Sequence, residues 1–157
     1  MTAPQVHLAL NHLPVMGVLF SALVLVIGRV LRHDVISRLA IAVLVASAMA
    51  AVPVFLSGEP AEEAIEHAVG VSEPVIEAHE NAARIALIAV EILGLVGLWG
   101  WFRYRRSELG RGFTTMLLVA TLALSGWFAW TAHLGGQIRH PELSAANATP
   151  PEIGDDD

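Results

Sequence analysis

The chain predicts an all-α fold: an integral membrane four-helix bundle with both termini extracytoplasmic and a short amphipathic outer helix between spans 2 and 3. Three observations predict it. Hydrophobic residues make up 55% of the 157 residues and charged residues only 15%, with a mean hydropathy of +0.60, whereas about a quarter of an ordinary soluble domain is charged. Four apolar runs each reach the roughly 20 residues that a hydrocarbon core of about 30 Å requires of a helix. Most of the nine basic residues, all arginine, flank two of the three connections.

The first span covers residues 13–31, "LPVMGVLFSALVLVIGRVL". The segment before it, "MTAPQV", has none of the positive charge of a secretory n-region, so this is read as a retained span. The second covers 36–56, the third 80–102 and the fourth 113–136, within "FTTMLLVATLALSGWFAWTAHLGG". Lipid offers no water to backbone N–H and C=O groups, so apolar runs this long are expected to be helices. Residues 1–141 form a single transmembrane domain. The tail, 142–157, is polar, acidic and proline-bearing, a composition that does not fold alone.

Orientation follows from the arginines. Arg29, Arg32 and Arg38 flank the first connection and Arg103, Arg105, Arg106 and Arg111 the third, whereas Arg84 and Arg139 alone lie on the other side. By the positive-inside rule the arginine-rich turns face the cytoplasm, and the termini and the 58–80 loop face outward. A bacterial inner (cytoplasmic) membrane is the expected setting. Within the loop, Pro60, Glu62 and Glu63 suit a first helical turn and Gly70 a stop, predicting a short outer helix over 60–69. Ser72, Glu73 and Pro74 mark a second start, from which one long helix runs into the third span.

Composition also excludes chemistry. There are no cysteines, which removes iron–sulfur clusters, covalently attached haem, thiolate zinc and disulfides. The net charge of −6 comes largely from acids outside the apolar runs, and no basic stripe is suited to nucleic-acid phosphates.

The histidines are the candidate functional groups. His7, His12, His67, His79, His133 and His140 fall at the outer ends of spans or in the outer loop, and only His33 lies on the inner side. Three helices thereby bring His12, His79 and His133 to one depth. His133 and His140 are seven residues apart and share a face if the fourth helix continues through Gly135 and Gly136. A single interfacial histidine is most simply a snorkelling side chain, but three converging helices suit a shared cofactor or metal. Imidazoles can bind zinc or copper, yet "HENAAR" lacks the second histidine of H-E-x-x-H, and no Glu-x-x-His pair occurs. Haem b is the better candidate, since it needs one or two neutral imidazoles and an apolar slot. Gly126, Gly135 and Gly136 could admit a flat macrocycle, and Arg84 and Arg139 could meet its propionates.

The stretches "VHLALNHLPV", "HENAARIAL" and "HLGGQIRHPE" together resemble an uncharacterised family of small bacterial four-span membrane proteins that begin with an HP…HFP-like pattern, end with GG…HG, and are in part fused to or encoded near c-type cytochromes. The resemblance implies a histidine-rich, haem-binding membrane domain associated with electron transfer. By motif match it points to His12, His79, His133 and His140 as iron or metal ligands, with His7 as a further candidate. "RHP" departs from the family pattern at His140.

Glu91 lies in the middle of the third span, where a buried carboxylate costs at least a few kcal/mol, so it is a candidate proton or quinone residue. A hydrogen bond to Ser47, Thr121 or Ser125 is the structural alternative. Trp99, Trp101, Trp127 and Trp130 suit interfacial belts. The function expected from these features is a non-catalytic electron-transfer subunit, exchanging electrons with quinol or an extracytoplasmic cytochrome c inside a larger redox complex. The alternative is a cofactor-free structural subunit, or a metal-handling one that adds Glu59, Glu62, Glu63 and Glu66 to the outer histidines.

Overall fold

A computed structural model describes residues 2–64 and 73–139. It contains six helices in chain order: α1 (Ala3–Leu10), α2 (His12–Leu31), α3 (Asp34–Leu56), α4 (Gly58–Glu63), α5 (Glu73–Arg103) and α6 (Arg111–Arg139). The four long ones pack around a ring in chain order, α2 on α3, α3 on α5, α5 on α6 and α6 back on α2. The fold is thus the expected four-helix bundle, and four helices are long and apolar enough to cross a membrane. The chain is a multi-pass membrane protein by that criterion.

Its surface is built for lipid. Leu19, Leu23, Met49, Ile88, Leu95 and Val119 are all exposed, while Val18, Leu25, Ile41, Leu44, Val90 and Leu117 are fully buried between the helices. Between membrane helices lipid supplies no hydrophobic drive to associate, so small residues and interhelical hydrogen bonds hold them. At Gly94 an added Cβ would come 2.8 Å from Ala48 Cβ, so α5 approaches α3 as closely as two backbones with small side chains allow. The fully buried Ser21 hydroxyl donates to the Ala40 carbonyl at 2.8 Å, joining α2 to α3.

Two breaks shape one end of the bundle, and both lie three residues before a proline. Pro14 has no N–H for the Leu10 carbonyl and its ring crowds that group, and the helix is interrupted at Asn11. Pro60 does the same to the Leu56 carbonyl, and the interruption falls at Ser57. The two short helices beyond these breaks, α1 and α4, pack on each other. Helix α4 begins two residues before the expected position. Residues 65–69 of the expected 60–69 helix lie outside the described residues, as does the tail from 140. Helix α5 is the single long helix foreseen from the Glu73–Pro74 start, 31 residues in length. Helix α6 runs through Gly135 and Gly136 to Arg139.

The opposite end is tied by ion pairing. Asp34 accepts the Leu109 N–H at 2.8 Å and the Arg38 Nε–H at 2.6 Å. Arg38 also donates to the Tyr104 and Ser107 carbonyls at 2.9 and 2.8 Å, with its guanidinium 5.7 Å from the centre of the Trp101 ring. The first turn of α3 therefore holds the α5–α6 connection in place.

Candidate functional site

Because neighbouring helices alternate in direction, the start of α2, the end of α3, the start of α5 and the end of α6 share one end of the bundle. His7, His12, His79 and His133 all fall there, and His33 falls at the other. His67 and His140 lie outside the described residues.

His79 is the most firmly held. It sits two turns into α5, half-buried, with Nδ1 donating to the Thr131 carbonyl of α6 at 3.0 Å. Thr131 and Gly135 are four residues apart and share a helix face, and the ring lies over Gly135, where a Cβ would come 3.0 Å from Cε1. The absent side chain at 135 is therefore what admits the imidazole. With Nδ1–H engaged by a carbonyl, the Nε2 lone pair is left free.

His7 repeats the arrangement from α1. Its Nδ1 is 2.9 Å from Ser57 Oγ, while the single Ser57 hydroxyl proton goes to the Val54 carbonyl at 2.7 Å. With the Ser57 hydroxyl turned to the Val54 carbonyl, Ser57 accepts from His7, the state in which the ring proton sits on Nδ1 and Nε2 is free. The proline break at Ser57 thus becomes the seat of His7, whose Cε1 also lies 3.7 Å from where a Cβ on Gly58 would be. His7 and His79 are close enough to interact electrostatically. Four chain segments, α1, the α3–α4 break, α5 and α6, with two proline-induced breaks and one glycine bring them to the same end of the bundle.

The other expected residues lie apart from this pair. His12 is exposed and its Nδ1 donates to the Leu8 carbonyl at 2.9 Å, one turn back. His133 is two residues from both Thr131 and Gly135, about 200° around α6 from the face that receives His79. It is exposed, with its ring 5.6 Å from that of Trp130 and Nε2 3.2 Å from the Gln137 amide. Arg84 forms an ion pair with Glu80 at 2.8 Å on the exposed side of α5. Arg139 ends α6. Of the three glycines proposed to admit a macrocycle, Gly135 is covered by His79, whereas Gly126 and Gly136 face open space.

Glu91 does not make the hydrogen bonds considered for it. Ser47, Thr121 and Ser125 each donate to the carbonyl four residues earlier in their own helix, at 2.8, 2.7 and 2.8 Å, and Glu91 Oε1 is buried with no partner. A hydroxyl in a helix finds its own i−4 carbonyl before it finds a neighbouring helix. Trp127, read from sequence as a belt residue, donates its indole N–H to the Ala82 carbonyl at 3.0 Å and so joins α6 to α5 beside the His79 seat.

Among the described residues, no three His, Asp or Glu side chains gather as a metal-binding group. A haem asks for one or two neutral imidazoles whose second nitrogen is held by an acceptor, and for an apolar slot between helices. His7 and His79 meet that donor requirement. Two surface recesses lie elsewhere: an apolar groove of about 310 Å³ between α3 and α5, reaching Trp101 and Phe102, and a polar recess of about 90 Å³ at the arginine-rich end.

Fold and site together define a multi-pass membrane four-helix bundle with two histidines at one end, each hydrogen-bonded to another segment of the chain. No family model, no curated protein and no solved structure matches the chain.

Proposed function

We propose that this chain is a membrane electron-transfer subunit that holds b-type haem at the His7 and His79 end and exchanges electrons with quinol or an extracytoplasmic cytochrome c within a larger complex. The observation that carries the reading is the matched state of the two rings: each commits Nδ1–H to a protein acceptor and leaves Nε2 free. Acceptors in that position orient a ligating imidazole and raise its basicity. The Thr131 carbonyl and the Ser57 hydroxyl serve His79 and His7 in this way. When bound, the haem iron supplies one-electron transfer. The resemblance of the three histidine motifs to a family associated with c-type cytochromes, and the outward orientation expected for this end from the positive-inside rule, support the same reading.

The test is a pyridine haemochrome assay on protein purified in detergent from haem-replete cells. Wild type is expected to carry haem b, His7→Ala and His79→Ala to lose it, and His12→Ala and His133→Ala to keep it. Wild type without haem would overturn the proposal.

A second reading, a cofactor-free structural subunit, is favoured by one observation: each described imidazole at this end already has a protein partner. On that reading His79→Ala lowers stability while no variant has any visible absorption to lose.

A further inference from the structure

At the arginine-rich end, the close of α2, the opening of α3 and the opening of α6 surround a polar recess of about 90 Å³. Its charged lining consists of Arg29, Arg32, His33, Asp34, Glu108 and Arg111. The charges are unevenly engaged. Asp34 is neutralised within the protein, one oxygen accepting the Leu109 N–H and the other Arg38, which lies outside the recess. Arg29 is steadied by a bond from Nε to Thr115 Oγ1 at 3.2 Å, which leaves both of its terminal nitrogens available. Arg32, Arg111 and Glu108 are exposed and make no ion pair among the described residues. Three guanidinium groups therefore face one carboxylate that is not already compensated.

The backbone reinforces this sign. Helix α3 starts at Asp34 with no side-chain cap on its first turn, so unbonded N–H groups and the positive end of its dipole open toward the recess. Arg32 occupies a left-handed conformation (φ 52°) at the α2–α3 turn, a position that glycine takes without strain and other residues take at a cost of about 1 kcal/mol. The turn is drawn tight by Gly28, where a Cβ would fall 2.6 Å from Ser37 Oγ. Arginine at this point places a guanidinium on the recess that glycine could not provide.

We propose that this recess is a phosphate-binding site that takes the phosphoryl group of an anionic phospholipid or a free phosphate. Guanidinium forks match phosphate oxygens in pairs, and basic pockets between membrane helices suit anionic head groups. The volume accommodates a head-group phosphate and excludes an acyl chain.

The full chain in nanodiscs tests this. In the lipid arm, phosphatidylglycerol is mixed into phosphatidylcholine discs and retained lipid is read by native mass spectrometry. In the phosphate arm, inorganic phosphate is added to pure phosphatidylcholine discs and its phosphorus line width is read by NMR. Wild type is expected to retain phosphatidylglycerol, to broaden the phosphate line, or both, and the arm that responds names the source. Arg32→Gln and Arg111→Gln should each weaken the response about fivefold. Arg105→Gln with Arg106→Gln, at the same end but outside the recess, should leave it unchanged. Glu108→Gln should strengthen it, a gain that misfolding cannot mimic. Equal responses from wild type and both single variants, or an equal loss in the Arg105 and Arg106 control, would overturn the proposal.

Discussion

The imidazole of His79 rests on the backbone of Gly135: a methyl group added there would lie 3.0 Å from Cε1 and 3.3 Å from Nδ1. This contact, with the bond to the Thr131 carbonyl one turn earlier, sets the position of the ring against α6. Glycine within a helix costs about 0.5–1 kcal/mol relative to alanine, so Gly135→Ala combines a propensity gain with a steric loss. The ring must shift by a few tenths of an ångström. We expect little net change in melting temperature, a displaced His79 nitrogen signal in NMR and, on the proposed haem-binding reading, reduced haem retention. Gly136→Ala, facing open space, should stabilise by about 0.4–1 kcal/mol and leave His79 unmoved.

Ser57 couples two bonds, accepting from His7 and donating to Val54. Ser57→Ala removes both and leaves the half-buried His7 Nδ1–H without that acceptor. A loss of about 1–3 kcal/mol is expected, with the NMR signature of His7 changing from a fixed Nδ1–H tautomer to a mixture. An unchanged tautomer would refute the assignment of the ring proton.

At the other end, Asp34→Ala leaves the Leu109 N–H and the part-buried Arg38 without their carboxylate. We expect a loss of about 1–3 kcal/mol, or several degrees in melting temperature, together with faster tryptic cleavage at Arg105 and Arg106 as the connection loosens. Asp34→Asn keeps one acceptor and should lose less.

Glu91 Oε1 is buried without a partner. Replacing an orphaned polar atom with an apolar group of similar size removes a desolvation penalty of about 1–3 kcal/mol. Glu91→Leu should therefore raise the melting temperature in detergent, and Glu91→Gln, which keeps a polar atom, should raise it less. A fall in both would point to a bonding partner that Glu91 meets in the assembled membrane.

The elements were largely legible. Run length alone located all four spans, because a membrane helix must satisfy its own backbone across a fixed thickness, and the Glu73–Pro74 start foretold that α5 extends well beyond its span. Continuation of α6 through Gly135 and Gly136 was not legible, since two adjacent glycines argue for a stop. Here burial of the glycine face under His79 and the bonds of the surrounding turns outweigh propensity. Helix α1 was missed, although Pro14 signals the break that creates it. Of the histidines, the convergence of His7, His12, His79 and His133 on one end followed from topology, but the particular pairing of His7 with His79 did not.

From the chain alone came the number of membrane-spanning helices, their approximate limits and the end of the bundle on which the imidazoles collect, because these depend on local hydrophobicity and on the alternation of direction. Which rings meet depends on rotation about each helix axis and on how α1 folds back over α4. Those angles are set where side chains from different helices touch, at Ser57 for His7 and at Thr131 and Gly135 for His79. A difference of two residues along α6 separates the face that holds His79 from the one that turns His133 away, a distinction that only packing between helices decides.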